Sequence, residues 1–206
     1  MALRILFSPR LYLFLVVAIA LAHPVQRAAA ATSFPASRDL PVLKDFAHAV
    51  SNGRPEQLRG AYATGIFADR VVQQPSNDPT FVSPRQHILT QFSAAAASGS
   101  TGLLAHNHLS GANFARLEVG QSVILVYGDG SLNLYAVTAV YRFQARQPEN
   151  PQSDFVDLVD GTSWSAAATF QRLYSRPGAL VLQTCIAADG NRSWGRLFVV
   201  AEPVDG

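Results

Sequence analysis

Several things are scarce in this chain, and each shortage narrows what it can be. Only one of its 206 residues is cysteine, so no internal disulfide can staple the fold. Charged residues make up 15%, the net charge is +2, and no cluster of Lys and Arg supplies a phosphate-tracking stripe, which excludes nucleic acid as a partner. No stretch recurs with a period of 20–50 residues, so repeat architectures are excluded. No apolar run reaches the ~20 residues of a membrane-spanning helix. The longest, at 11–22, has twelve residues, and no cysteine follows it, which excludes a lipoprotein.

That short run carries its own signal. Arg4 and Arg10 precede it, and Ala20, Leu21 and Ala22 close it with the small residues of a cleavage site, with a second such site at 28–31. This is the pattern of a secretory signal peptide, and the expected location is secreted or cell-surface. A membrane anchor results only if the segment stays uncleaved. Export makes the cysteine count informative, since an unpaired thiol in an oxidising compartment needs a reason. Intermolecular pairing is one reason, and nucleophilic catalysis is another.

Hydrophobic residues at 49% and frequent turn residues describe a globular, β-leaning domain. The expected organisation is a signal peptide and linker over 1–30, an N-terminal helix and linker over 31–57, and one β domain over 58–206. Leu40, Leu43, Phe46, Ala47 and Val50 recur at helical spacing, and Gly53 and Pro55 end that helix. Residues 61–72 predict two strands bent at Gly65, and 74–84 form a loop by composition. Residues 87–97 are ambiguous, one helical turn or two. Residues 101–105 predict a strand ending in His106-Asn107-His108. Ser122–Tyr127, the turn Gly128-Asp129-Gly130 and Leu132–Ala145 make the clearest hairpin. Residues 146–162 read as one long loop and 164–174 as a helix. The runs 179–186 and 196–201 read as neighbouring strands flanking a polar loop. Seven or eight strands so punctuated make an all-β fold with short helices, either a sandwich or a closed barrel.

The one cysteine, Cys185, lies where the strand at 179–186 meets the loop, and Arg196 where the next strand leaves it. If the runs pair antiparallel, thiol and guanidinium meet at one end of the sheet. Taken singly, neither residue is remarkable in kind: a free cysteine usually behaves as a small buried hydrophobe, and an arginine at a strand start is usually a solvated end. Together with a histidine they suit acyl transfer. A thiolate attacks a carbonyl, a histidine protonates the leaving amine, and a guanidinium stabilises the oxyanion with a permanent charge and a fork of donors.

The order of these residues resembles that of the sortases, a family of cysteine transpeptidases built on a β-barrel. The quoted pieces are Ala105-His106-Asn107, then Leu182-Gln183-Thr184-Cys185, then Arg196-Leu197-Phe198-Val199-Val200-Ala201, with Phe114-x-x-Leu117-x-x-Gly120 between the first piece and the hairpin. The resemblance covers residues 58–202 and implies a sortase-like closed β-barrel of seven or eight strands. It implies His106, Cys185 and Arg196 as catalytic residues, Thr184 as a substrate or oxyanion contact, and a thioester with a sorting-signal peptide that an amine on a protein or the cell envelope resolves. His108, two residues from His106, shares its face in a strand and stands as a substrate contact or rival histidine. Three positions depart from the family pattern. Ala105 replaces the usual Gly before His, Gln121 replaces Asp after Gly120, and Val181 stands where Thr is frequent.

Two other cysteine-enzyme patterns do not match. The L,D-transpeptidases place His and Gly close before the Cys and an Arg directly after Cys-x, which Cys185-Ile186-Ala187 lacks. Papain-like proteases carry their Cys on a helix near the mature N-terminus. A non-enzymatic exported β domain with an incidental thiol is the alternative of a different class. No cofactor is implied, and no metal, because His106 and His108 bring no further clustered ligands. Asp154, Asp157 and Asp160 suggest calcium by spacing, but such residues in a loop are more often solvated surface.

Overall fold

The computed structural model describes residues 40–204. The signal-peptide and linker expectation over 1–30 lies outside them. Ten strands and three α-helices follow in order. They are α1 (Leu43–Val50), β1 (Leu58–Ala63), β2 (Phe67–Gln73), β3 (Ile88–Phe92), α2 (Ser93–Ala97), β4 (Thr101–Leu104), a 3₁₀ segment (Ser110–Arg116), β5 (Ser122–Tyr127), β6 (Leu132–Ala145), β7 (Phe155–Asp157), β8 (Ser163–Trp164), α3 (Ala166–Tyr174), β9 (Leu180–Ala188) and β10 (Asn191–Pro203).

The strands form one sheet in the order β10-β9-β4-β3-β2-β1-β5-β6-β7-β8, and β6 pairs back onto β10. That last pairing closes eight strands into a barrel, leaving β7 and β8 as a short flap on the outside of β6. The length of β6 follows from its three partners. Its first part pairs with β5, most of it with β10, and its end with β7. A closed sheet leaves no unpaired edge around the ring, and this decides between the sandwich and the barrel. The pairs β2–β3 and β4–β9 are parallel, and the rest of the ring is antiparallel.

Alternation along the strands sorts their side chains into two apolar clusters. Leu180, Leu182, Leu197 and Val199 join Leu103 and Phe67 inside the barrel. Val181, Phe198 and Val200 face outward and pack with Phe143, Leu173 and Tyr174 beneath α3. The second cluster explains why β9 and β10 are nearly continuous apolar runs, since both faces of these strands are covered. Helix α1 lays Phe46 and Val50 on Tyr62 and Val126. Gly60 permits that approach, because a Cβ there would stand 2.8 Å from the Phe46 ring.

Four local expectations need correction. Residues 87–97 are not one helical segment: Ile88–Phe92 is a strand, with Leu89 inside the barrel, and the helix begins only at Ser93. Five residues are too few for periodicity to separate strand from helix, and the pairing partner β2 decides. The long loop at 146–162 contains β7, which pairs with the end of β6. Trp164 belongs to β8, and α3 starts at Ala166, with the Ser165 side chain accepting the Ala168 N–H at 3.1 Å as its cap. The polar stretch between the last two apolar runs is mostly strand, reversed by a tight turn with Asp189 at φ 51° and Gly190 at φ 75°. Both residues lie left-handed, the backbone a two-residue hairpin turn requires.

Candidate active site

Strand β9 stands between β4 and β10, and the candidate residues fall on β9, on β10 and just after β4. On one side, Arg196 is the direct register partner of Cys185. On the other, β4 runs parallel to β9 with Leu104 opposite Gln183, and the Ala105 N–H donates to the Gln183 carbonyl at 3.3 Å. His106 follows two residues after Leu104, past the end of β4 and toward the end of β9 that carries Cys185. Neighbouring strands lie about 4.8 Å apart, so Cys185 and Arg196 stand in one row across the sheet, with His106 in the loop just after β4.

The row lies on the outer face of the barrel. Leu180 and Leu182 point inward, so Val181, Gln183 and Cys185 point outward. Arg196 shares the outward set with Phe198 and Val200. Leu103 and Ala105 are inside, which turns Leu104 and His106 out. Cys185 and His106 are half-buried, a setting that holds a nucleophile in place and still admits a peptide.

Arg196 is 8% exposed, and its grip is set by carbonyls. Nη1 donates to the carbonyls of Ser193 at 2.8 Å and Gly195 at 2.9 Å, and Nη2 to that of Pro148 at 3.0 Å. All of these partners are neutral, so the positive charge beside Cys185 is held without a carboxylate to offset it. A guanidinium has five N–H groups. Among the described residues Nε–H and one Nη2 hydrogen are left to meet an oxyanion or a substrate carbonyl. Nothing in the sequence marks Pro148 for this role, because it reaches Arg196 only through the fold of the loop between β6 and β7.

Thr184, expected to contact substrate, points the other way. It is buried, and its hydroxyl donates to the Ala105 carbonyl at 2.8 Å, fixing the end of β4 just before His106. The backbone beyond is equally tight. The His106 carbonyl accepts from the N–H groups of Leu109 and Gly111, both at 3.0 Å. A Cβ on Gly111 would stand 2.3 Å from Thr184 Oγ1 and 2.7 Å from the carbonyl oxygens of Ala105 and His106. Gly111→Ala is therefore expected to destabilise the fold by about 1–3 kcal/mol through overpacking, measured as a lowered urea midpoint. An unchanged midpoint would show that this loop gives way freely. His108 is exposed, with its ring centroid 5.5 Å from that of His106.

Below Cys185 on the same face, Gln183 accepts the Tyr174 hydroxyl at 2.6 Å, and burial pushes that phenol's pKa up. The acidic residues considered for calcium each accept a different backbone N–H. Asp154 Oδ1 accepts from the Ala166 N–H, Asp157 Oδ1 from Val159, and Asp160 Oδ1 from Thr162. The Thr162 hydrogen bonds hold the Asp160 carboxyl below its ordinary pKa. Among the described residues no group of three or more His, Cys, Asp or Glu side chains is placed to hold a metal ion.

No protein-family model matches the chain, and no curated protein does. Solved structures do resemble it. Sortase C1 from Streptococcus suis aligns over 74% of this chain and 75% of its own, with a TM-score of 0.49 and 16% identity. Sortase C-1 from Actinomyces oris aligns over 82% and 84%, with a TM-score of 0.49 and 14% identity. The Clostridium perfringens sortase D5 transpeptidase aligns over 79% and 87%, with a TM-score of 0.44 and 12% identity. In this barrel the small residue and His directly follow β4, Leu-x-Thr-Cys lies in β9 and Arg in β10, with β9 between β4 and β10.

Proposed function

We propose that the chain is an exported cysteine transpeptidase of the sortase type. The observation that carries this reading is the register of Arg196 opposite Cys185, with His106 just past the end of β4, the strand on the other side of β9. Cys185 gives its thiol proton to His106, Sγ attacks a peptide carbonyl, and the carbonyl oxygen takes the negative charge beside the Arg196 guanidinium. The tetrahedral intermediate collapses, the C–N bond breaks, and His106 gives a proton to the departing amine. A thioester remains on Cys185. An incoming amine attacks it and gives a proton to His106, the C–S bond breaks as the new amide forms, and His106 returns the proton to the Cys185 sulfur. The sequence balances without metal or cofactor. Water in place of the amine gives hydrolysis.

The substrate class follows from the same reading: a protein bearing a sorting-signal peptide, with an amine on a second protein or a cell-envelope component as acceptor. Arg4, Arg10 and the apolar run at 11–22 support an extracytoplasmic location. Among the described residues no helix is long and apolar enough to cross a membrane. The test is mass spectrometry of the purified protein after exposure to a peptide library. An acyl adduct on Cys185 is expected, and it would report the sorting motif as well. No adduct, together with a thiol silent to a thiol-directed probe in the native state, would favour a binding domain with an incidental cysteine.

His106 rather than His108 is the acid and base in this reading. Thr184 and Gly111 pin the backbone on either side of His106, whereas His108 lies further into the loop and is exposed. His106→Ala is expected to abolish acyl transfer, and His108→Ala to leave a measurable fraction. The reverse outcome, assayed across pH, would move the assignment by two residues and leave the chemistry standing.

A further inference from the structure

We propose that Asn107 is a positioning residue for this reaction, its carboxamide locking the loop that carries His106 onto the strand irregularity that holds Arg196. The proposal rests on the transpeptidase reading above. Asn107 Nδ2 donates to the carbonyl of Arg192 at 2.8 Å, joining residues 85 apart in sequence. Among the described residues it is the one side-chain hydrogen bond between the loop after β4 and β10.

Its acceptor lies in an unusual part of the strand. Asn191 pairs with Ala188 and Gly195 with Ile186, so four steps along β10 oppose two along β9, and two residues are extra. A bulge of this kind takes carbonyls out of the ladder and re-aims them. Here Asn191 Oδ1 accepts the Ser193 N–H at 2.7 Å and holds the bulge in shape. The next two carbonyls then divide the work. That of Arg192 receives Asn107, and that of Ser193 receives Arg196 Nη1 at 2.8 Å. The anchor of the histidine loop and the anchor of the guanidinium are on consecutive peptide units, joined at the Ser193 Cα, and Asn191 holds the Ser193 N–H between them.

His106 needs such an anchor because it lies beyond the last ladder pair of β4, at Leu104. Thr184 and Gly111 fix its backbone from the β9 side and from the 3₁₀ segment. Only Asn107 ties it toward β10. The bond itself is solvent-exposed, so its loss alters global stability little, and what it controls is geometry. A displacement of about 1 Å in a catalytic group can cost about 100-fold in rate.

The test compares Asn107→Ala and Asn107→Asp with the wild type on the peptide found by adduct formation. Asp keeps the shape but sets an oxygen against the Arg192 carbonyl. Both variants are expected to lose about 10- to 100-fold in kcat with KM within about twofold of wild type. In an Arg196→Lys background the same Asn107→Ala change is expected to cost much less, since the alignment it serves is already lost. Amide hydrogen exchange in the Ala variant is expected to quicken together at 105–109 and 191–196, with an unchanged melting temperature. Variants that turn over like an active wild type, or additive losses with no change in exchange, would overturn the proposal alone. A wild type that turns over no peptide would instead remove the transpeptidase reading, and this proposal with it.

Discussion

Cys185→Ala is expected to fold as the wild type does and to lose all peptide cleavage and transfer. The loss should be complete because the chain has one cysteine, so no second thiol can form the acyl intermediate. The fold should survive because Cys185 is half-buried on the outer face of β9, not in the barrel core. Removing one sulfur from such a site costs about 1 kcal/mol or less, below the cavity penalties of a closed core. Chromatographic assay of peptide cleavage and a thermal melt check the two halves separately. Residual turnover in a well-folded Cys185→Ala would sink the mechanism.

Arg196→Lys is expected to lower kcat/KM by about 100- to 1,000-fold, the usual size of a lost oxyanion contact. The conservative charge does not rescue it, because the guanidinium holds Ser193, Gly195 and Pro148 carbonyls simultaneously. An ammonium is one compact point with three donors and cannot span those oxygens while presenting a hydrogen to substrate. Some stability should go as well, about 1–3 kcal/mol, since buried carbonyls lose their donors. Steady-state kinetics with the adduct-forming peptide, beside a denaturant titration, measures both. Turnover within about threefold of wild type would reduce Arg196 to a clamp for the loop between β6 and β7.

Some of this was legible in the residues. The hairpin of β5 and β6 appears where alternation and Gly128-Asp129-Gly130 place it, and α1 where the helical spacing does. In each case the local pattern and the tertiary fold agree. The elements that escaped notice are short. Strand β3 and the β7–β8 flap exist because long neighbours offer them a paired edge, and no window of their own length can announce that.

The candidate site divides along the same line. Residue type and order determined the nominees: one thiol, one arginine opening an apolar run, one histidine after a small residue. They could not determine whether these meet. Counting back from the tight turn at Asp189 and Gly190, a regular hairpin sets Trp194 opposite Cys185. The two extra residues in β10 move Arg196 into that place. The shift needs Gly195, where a Cβ would stand 2.3 Å from the Phe143 carbonyl oxygen. Phe143 lies on β6, the strand that closes the barrel against β10. Sequence supplied the groups, but barrel closure around a glycine decided which of them face one another, because strand register depends on a partner some fifty residues away in the chain.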